Sequence, residues 1–456
     1  MALIVPFRGL RYNPEVVRDL GEVVAPPYDV IDATAREEYY RRHPYNIVRL
    51  ECGREEPGDT EAENRYTRAA ATFRDWRRRG ILVPDPAPAL YLYEQEFVHG
   101  GRTFRRRGLA CAVRLADYGE GTVLPHEETI PRHREDRLAL LRACRASFSP
   151  ILGLYLDPEH RVAEAIGDPG KPAASFRDDR GHGHRLWVLT QAPLIRRIRE
   201  LFAPLCLYIA DGHHRYETAL AYRNERLRGH PLEAVTAGHT ALTAPAPAFA
   251  YTFMVLINVY DNGLVILPTH RLVRPPTDPD LGRLLHDLAH LFEVAPWHGP
   301  SPRRDGGGFA RTLAAGSEAG GGARRFAAVL YAGADRAWLL TLKDGVDPAP
   351  LLPAGRSPAW RSLDVVLVRH LILERYLGLE PGAFQDEGRV AYTHDPQAAA
   401  AAVDQGAYPL AFLLNPTPVA DLVAVATAGE KMPQKSTHFY PKLPTGPVIY
   451  AHDLQG

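Results

Sequence analysis

The side chains best suited to chemistry lie in LYIADGHHRYETALAY, residues 207–222, where a predicted strand passes into a predicted helix. The apolar stretch Leu205–Ala210 predicts a buried strand, and YETALAYRNERL is rich in good helix formers. Asp211 and Gly212 form the turn between them. The first turn of the helix then carries His213, His214 and Arg215. Cations are disfavoured at the positive end of a helix dipole unless an anion joins them, so this junction predicts a phosphate-binding site.

Two other interpretations of this junction stay open. A metal site built on the two histidines is disfavoured, because adjacent helical side chains point roughly 100° apart and Arg215 would repel a divalent cation. Asp211 alone could hold a Mg²⁺ ion that a nucleotide carries, since the phosphates supply the other oxygen ligands. In the last interpretation Asp211 only caps the helix and the histidines lie on the surface.

A second cluster with chemical potential lies in VLPHEETIPRHREDR, residues 123–137. His126 and Glu127 follow an apolar approach, and several basic residues come after them. The zinc-protease pattern HExxH is absent, because position 130 is Ile. A glutamate among histidine and arginine side chains can serve as a general base, since its neighbours tune its pKa. The alternative is a solvated charged loop.

The tail GEKMPQKSTHFYPK, residues 429–442, combines cations and hydroxyl groups among prolines and aromatic residues. Its polar side chains are those of Lys435, Ser436, Thr437, His438 and Lys442. This combination suits anion binding, although a basic tail can equally be plain surface.

Three shorter motifs are weaker candidates for substrate binding. In APPYDVI, residues 25–31, two prolines restrict the backbone before Asp29. HPYNIVRLE, residues 43–51, predicts a short strand that carries Asn46 and Arg49. PTHR, residues 268–271, follows a predicted strand and would place His270 and Arg271 at its end. Each motif taken alone favours a structural role.

The remaining sequence predicts a mixture of helices and strands. Thr60 and Glu63 have capping-box spacing, which predicts a helix over residues 60–79. Residues 89–97 and 102–115 predict a hairpin that turns at Gly100 and Gly101. Further strands are predicted at 151–156, 249–259 and 408–416, a second hairpin at 326–342, and helices at 136–146, 281–292, 363–378 and 420–430.

Overall composition excludes several classes of protein. The 54 basic residues equal the 54 acidic residues, so no global basic field favours DNA or acidic membranes. The four cysteines form no CxxC pair, which argues against a disulfide framework or a zinc ribbon. There is no apolar run of about 18 residues, and the N-terminus lacks the apolar core of a signal peptide. We therefore expect a soluble, cytoplasmic protein without a specific nucleic-acid or membrane partner.

Taken together, the motifs resemble a bacterial and archaeal family known as domain of unknown function 1015. The matching elements are PFRGLRYN, VVAPPYDVI, HPYNIVRLE, LPHEETI, EDRLALLRA, SFSPILGLY, IADGHHRYETAL, ILPTHRLV and MPQKSTHFYPKLPTGPVIY, which run from residue 6 to residue 450. The DGHHR motif is similar to that of the ParB/sulfiredoxin-like superfamily, whose members bind nucleotide phosphates at this turn. One branch, the free-serine kinases, transfers a phosphoryl group to the hydroxyl of L-serine.

The resemblance implies an α+β fold with a mixed-sheet, ParB/sulfiredoxin-like core and a second α/β domain. It implies a nucleotide-binding and catalytic domain over residues 1–275, an α/β domain over 276–428, and a basic tail over 429–456 that returns to the active site. The Gly-rich segment 301–325 is predicted to be a flexible insertion.

The implied activity is that of a nucleotide-dependent small-molecule kinase. ATP or ADP would bind at Asp211, Gly212, His213, His214 and Arg215, with Mg²⁺ at Asp211 and further phosphate contacts from the tail. Glu127, with His126 beside it, is the candidate base toward the acceptor hydroxyl, which a glutamate fulfils in the free-serine kinases. Two alternatives are a nucleotide-binding regulatory module of the ParB type and a hydrolase of a small phosphorylated compound. The sequence contains no Walker GxxxxGK[ST] motif.

Overall fold

The chain is described here by a computed structural model that covers residues 2–129, 131–228, 247–318 and 325–455, with the backbone alone for residues 131–133 and 318. It divides into two compact units. The first comprises Met1–Pro125, Thr129–Leu264 and Pro441–Gly456, and the second comprises His126–Glu128 and Val265–Tyr440. None of the described helices is long and apolar enough to cross a membrane.

The first unit is built around a nine-stranded mixed sheet with the order β6-β11-β8-β12-β5-β4-β10-β9, to which β1 adds beside β5. The strands of the first unit, within this sheet and outside it, are β1 Ile4–Val5, β2 Leu10–Tyr12, β3 Leu82–Pro84, β4 Leu90–His99, β5 Arg102–Arg114, β6 Val123–Leu124, β7 Ala146–Ser147, β8 Ile151–Tyr155, β9 Ala174–Arg177, β10 Gly183–Leu189, β11 Leu207–Asp211 and β12 Tyr251–Asn258. Strand pairs β6/β11 and β8/β12 are parallel, and the other pairs of the sheet are antiparallel. Two small ribbons, β2 with β3 and β7 with Tyr450–Ala451, complete the strands.

Seven α-helices pack among the described residues of the first unit. They are α1 Ala33–Arg42, α2 Val48–Glu51, α3 Arg65–Arg78, α4 Pro131–Cys144, α5 Arg161–Ile166, α6 Ala192–Phe202 and α7 His213–Leu227. Short 3₁₀ turns lie at Leu20–Glu22, Tyr28–Val30, Tyr118–Glu120, Ala248–Ala250 and His452–Leu454. Helix α6 buries Ile195, Ile198 and Phe202 against the sheet, because residues three or four apart share a face of a helix.

The second unit contains a six-stranded antiparallel sheet with the order β15-β17-β16-β19-β14-β18 and a separate β13/β20 ribbon. Its strands are β13 Val265–Leu267, β14 His270–Val273, β15 Phe292–Pro296, β16 Ala327–Tyr331, β17 Ala337–Leu342, β18 Val390–Thr393, β19 Leu410–Leu414 and β20 His438–Tyr440. Its helices are α8 Leu281–Leu288, α9 Gly306–Glu318, α10 Pro358–Arg361, α11 Asp364–Leu367, the π-helix Val368–Glu374, α12 Pro396–Asp404 and α13 Val419–Thr427, with 3₁₀ turns at Ala349–Leu351 and Pro381–Gln385. The α+β class with a mixed sheet is therefore confirmed.

The predicted hairpin of the first unit is confirmed in detail. Strands β4 and β5 pair from Tyr91 with Ala110 to His99 with Arg102, so the loop has two residues. These are Gly100 and Gly101, at φ of 55° and 75°. A two-residue hairpin turn of this kind requires positive φ at both central positions, which glycine adopts without steric cost.

Three local predictions are wrong. The helix expected from residue 60 begins at Arg65, because the Asn64 side chain accepts from the Tyr66 and Thr67 amides and forms the capping box with Thr67. The short strand expected around Asn46 and Arg49 is the helix α2.

The third error concerns the segment 301–325, which we predict to be flexible from its glycines. Residues 306–318 form α9, in which Asp305 accepts from the Gly308 amide and the side chains of Phe309 and Leu313 are buried. Burial of these two apolar side chains outweighs the low helix propensity of the glycines. The rest of the predicted insertion, residues 319–324, lies outside the described residues.

Candidate functional site

The strand-to-helix junction has the geometry that its sequence predicts. Strand β11 is buried up to Ala210, Asp211 ends it, and α7 begins at His213. Gly212 lies between them at φ 93° and has no side chain to cap the helix. A Cβ atom at this position would come within 2.8 Å of the Arg215 Nε atom. The backbone conformation therefore favours glycine here, and a side chain would also have to displace the Arg215 guanidinium.

Asp211 holds two cations. Its Oδ2 accepts a hydrogen bond of 2.8 Å from Arg215 Nη2, and its Oδ1 accepts one of 2.5 Å from Lys442 Nζ. Burial acts to raise the pKa of Asp211, but the charges of Lys442 and Arg215 outweigh it and hold this pKa well below its usual range. Arg215 also donates to the Pro150 carbonyl oxygen. Two full cations therefore share the carboxylate of Asp211.

Lys442 is positioned by the loop that precedes the last strand. Its carbonyl oxygen accepts from Gln95 Nε2 at 3.2 Å, and the Pro441 carbonyl oxygen accepts from Arg106 Nη2 at 2.5 Å. Burial acts to lower the pKa of Lys442, but the charges of Asp211 and Asp29 outweigh burial and raise this pKa above its usual value. The ammonium group therefore stays charged. Asp29 lies on the 3₁₀ turn Tyr28–Val30, which the extended Pro27 precedes. The structure therefore brings Asp29, Asp211, Arg215 and Lys442 together.

A second network in the first unit consists of residues that sequence reasoning missed. Buried Glu51 accepts from Ser149 Oγ at 2.6 Å and from Arg137 Nη1 at 3.2 Å. The Arg137 guanidinium lies 4.0 Å from the centroid of the Tyr28 ring. Glu51, Arg137, Ser149 and Arg215 line one cleft with a volume of about 50 Å³. Glu51, Arg137 and Ser149 each lie within or at the end of a motif quoted above. Membership of these motifs is the signal that could have found them.

The predicted base lies in the second unit, together with the part of the predicted phosphate-binding tail that ends at Tyr440. Glu127 Oε1 accepts from the Lys435 amide at 3.2 Å, and the Met432 amide donates to the His126 carbonyl oxygen at 2.7 Å. His126 is fully buried, and its Nε2 lies 2.9 Å from Thr437 Oγ1. The loop 126–128 and the tail therefore form one hydrogen-bonded assembly.

The other predicted tail residues serve that assembly or its neighbours. Ser436 is buried, donates from Oγ to the Pro433 carbonyl oxygen at 2.5 Å, and accepts at its own carbonyl from Thr417. The His438 ring stacks on His394 with centroids 3.7 Å apart.

His213 is buried at the start of α7, while His214 is partly exposed beside it.

His270 and Arg271 begin strand β14, whereas the sequence places them at the end of the preceding strand. His270 Nδ1 accepts from the Leu414 amide at 3.1 Å, which places the ring proton on Nε2. Burial lowers the pKa of His270 to about 3, so the ring is neutral. Burial also lowers the pKa of Arg271 to about 10, which leaves its guanidinium charged at neutral pH.

Asn46 and Arg49 make contacts within the framework of the first unit. The Asn46 amide donates to the carbonyl oxygens of Glu22 and Val24 and accepts from the Val48 amide, which starts α2. Arg49 donates to the Tyr40 carbonyl oxygen at 2.8 Å and lies over the Tyr40 ring. These contacts explain the position of both side chains without a ligand.

Direct coordination of Mg²⁺ by Asp211 does not fit the side chains around it. Both carboxylate oxygens accept from cations, so a metal ion would have to displace Lys442 or Arg215. Across the described ranges, no group of three or more His, Cys, Asp and Glu side chains is arranged to hold a metal ion. The cations next to Asp211 are those of the chain itself, and they suit a phosphate group.

Comparisons with solved structures find similar chains at low sequence identity. Among solved structures, the protein is similar to a conserved hypothetical protein from Pyrococcus furiosus at 14% identity, with 73% of this chain and 94% of that chain covered and a TM-score of 0.31. Free serine kinase in complex with AMP is similar at 13% identity, 73% and 90% coverage and a TM-score of 0.33. SbnI with a C-terminal truncation, from Staphylococcus aureus, is similar at 11% identity, 74% and 85% coverage and a TM-score of 0.30. No conclusion about activity rests on similarities of this size.

A search of curated proteins finds no match to the chain. The model of the family described as protein of unknown function DUF1015 matches residues 4–366, which is most of the sequence. The chain therefore belongs to the DUF1015 family.

Proposed function

We propose that this protein is a phosphotransferase that moves a phosphoryl group from ATP or ADP to the hydroxyl of a small metabolite, with free L-serine as the first candidate acceptor. The observation that carries the proposal is the cluster at the start of α7. There, Arg215 and Lys442 converge on the single carboxylate of Asp211. Fixed cations at a helix N-terminus are the arrangement that phosphate groups require.

The residues of the cluster divide the work of binding. Lys442 and Arg215 are both largely buried, with 15% and 11% of their side chains exposed, so little solvent screens their charges. The Arg215 Nε atom is buried and has no hydrogen-bond partner among the described residues. Without a ligand, Asp211 balances the charge of both cations. Phosphoryl transfer depends mainly on such positioning and charge neutralisation.

Glu127 is the proposed general base. The bound nucleotide supplies the phosphoryl group, whose bond to the leaving phosphate oxygen breaks as a new bond to the acceptor oxygen forms. The proton of the acceptor hydroxyl passes to the Glu127 carboxylate. The Lys435 amide, which donates to Glu127 Oε1, fixes the orientation of that carboxylate. Buried His126 anchors the same loop through its contact with Thr437.

The test is a screen for phosphorylated product by ³¹P NMR and mass spectrometry. The purified full chain is incubated with ATP or ADP, Mg²⁺ and a panel of hydroxylated metabolites that includes L-serine and D-glycerate. We expect a new phosphomonoester from at least one acceptor and its loss in the Arg215→Ala and Glu127→Gln variants. Absence of any phosphorylated acceptor with both donors, or release of inorganic phosphate alone, contradicts the proposal.

A further inference from the structure

The second unit contains a polar cavity that the proposed function does not use. Its volume of about 160 Å³ exceeds the 50 Å³ of the cleft beside Arg215. Its walls combine charged, amide and aromatic side chains, among them Glu128, Arg271, Arg369, Phe384, Tyr392 and Gln434. A small cavity with a few convergent polar groups and aromatic walls is typical of a metabolite site.

Arg271 is the most unusual of these side chains. It is only 5% exposed, and its guanidinium donates to the carbonyl oxygens of Thr269 and Lys435, the second contact being long at 3.4 Å. Within the described ranges no carboxylate lies at ion-pair distance from it. A guanidinium has five N–H donors, and a buried charge without a counter-ion is costly. An anion in the cavity would supply acceptors for the remaining N–H donors and a closer counter-charge than Asp364 and Glu127, whose charges act on Arg271 without forming an ion pair.

Arg369 and two aromatic rings complete the recognition surface. The Arg369 guanidinium lies 4.3 Å from the centroid of the Phe384 ring and donates to Glu374 at 2.9 Å. The Arg271 guanidinium lies 5.7 Å from the Tyr392 ring centroid. Both guanidinium groups therefore lie within cation–π distance of a ring at the cavity wall. Planar forks of this kind match a carboxylate geometrically.

The small net charge of the cavity walls disfavours a dianion more strongly than a monoanion. Arg271 and Arg369 contribute two positive charges, whereas Glu374 neutralises much of the second, and Glu128 adds a negative charge at the wall. A phosphate dianion would therefore meet less than its own charge and would be repelled by Glu128. We propose that this cavity binds the carboxylate of a small metabolite, with Arg271 as its main ligand and Arg369 as the second. The inference goes beyond the proposed function, because such binding requires neither a nucleotide nor turnover.

Isothermal titration calorimetry of the full chain without nucleotide tests the inference. The probes are L-serine and D-glycerate as monocarboxylates, ethanolamine as the analogue without a carboxylate, and inorganic phosphate. We expect saturable binding of at least one monocarboxylate, weakened roughly tenfold or more in Arg271→Gln and in Arg369→Gln. Arg283→Gln is the matched control, because its side chain is 81% exposed on α8 of the same unit.

Each other outcome overturns the inference. Saturable binding of neither acid, equal binding of ethanolamine and L-serine, or tighter binding of phosphate than of both acids excludes a carboxylate site. Unchanged affinity in both arginine variants places the bound acid elsewhere. Arg271 is buried, so circular dichroism first establishes that its variant is folded. If that variant does not fold, the partly exposed Arg369 decides the question. Because these titrations contain no nucleotide, their failure is separate from a failure of the product screen.

Discussion

Two buried arginines mark the two candidate sites, and they differ in what balances their charge. Arg215 in the first unit is paired at 2.8 Å with Asp211, which also holds Lys442. Arg271 in the second unit contacts carbonyl oxygens but, in the described part of the chain, no carboxylate. In the first site an internal carboxylate therefore compensates the cations, whereas in the second site the proposed ligand supplies the anion. The difference teaches that a buried cation indicates a ligand site most clearly where the protein has not already compensated its charge.

The largest effect is expected on turnover. Glu127→Gln keeps the shape of the side chain and the contact with the Lys435 amide but removes the basicity. We expect turnover to fall by about 10²–10⁴-fold, the usual range for general-base catalysis, while nucleotide affinity stays nearly constant. Steady-state kinetics and nucleotide titration measure the two quantities. Glu293→Gln, an exposed change in the same unit, is the control. Normal turnover in Glu127→Gln would show that Glu127 is not the general base, and Asp29 would be the next candidate.

The comparison of the arginines predicts unequal losses of stability in two variants. Asp211→Asn removes the counter-charge of two buried cations, so we expect the free energy of unfolding to fall by about 3–5 kcal/mol. Arg271→Met removes a buried charge that has no carboxylate partner, and we expect a clearly smaller loss. Urea unfolding followed by circular dichroism measures both. A larger loss in Arg271→Met than in Asp211→Asn would break the comparison.

The same Asp211→Asn variant separates a counter-ion from a metal ligand. As a counter-ion, Asp211 competes with phosphate for Lys442 and Arg215, so the variant should bind nucleotide at least as tightly as the parent in EDTA. If Asp211 were instead a direct Mg²⁺ ligand, the variant would lose the gain in nucleotide affinity that Mg²⁺ provides. Nucleotide titrations in EDTA and in Mg²⁺ distinguish these outcomes.

A smaller effect is expected from Lys442, which reaches Asp211 from the C-terminal segment. Lys442→Met should weaken nucleotide binding by about 1–3 kcal/mol, the scale of one charge-assisted hydrogen bond. Lys171→Met, an exposed change in the same unit, should leave the affinity unchanged. Equal affinities for the Lys442→Met variant and the parent protein would remove the C-terminal segment from the site.

The smallest effect is a pH dependence in the second unit. The pKa of buried His270 is lowered to about 3, below the value of about 6.5 in an unfolded chain. The unfolded state therefore binds more protons between these values, so the free energy of unfolding should fall as pH drops below about 6.5, by up to about 1.4 kcal/mol per unit. Urea unfolding at pH 7 and pH 5 measures the slope, and His270→Gln should remove this part of it. An unchanged slope in that variant would show that His270 is not neutral and buried as described.

Local patterns made much of the fold predictable. The strand, the positive-φ glycine and the helix at Asp211–Arg215 follow from neighbouring residues, as does the two-glycine hairpin. The errors arose where contacts distant in sequence decide. The Asn46 amide binds backbone groups of Glu22 and Val24, which favours a helical turn over a strand. The glycines before Phe309 become helical only because that ring is buried.

The composition of the sites was less predictable than the elements that carry them. Lys442 and Asp211 are far apart in sequence, and no short-range rule pairs them. Glu51 and Arg137 look like ordinary charged residues until burial shows that they bind each other. The tail divides between the two units, with Lys435 on the Glu127 loop and Lys442 on Asp211.

The most direct test of the central claim is a calorimetric titration of ATP and ADP into the parent protein and into His214→Ala and Arg215→Ala. These residues lie in the first turn of α7, where the phosphates are proposed to bind. The account predicts measurable nucleotide binding to the parent protein and a loss of roughly 1–3 kcal/mol of binding free energy in the variants. Unchanged affinity in both variants would contradict the assignment of a phosphate site to this junction.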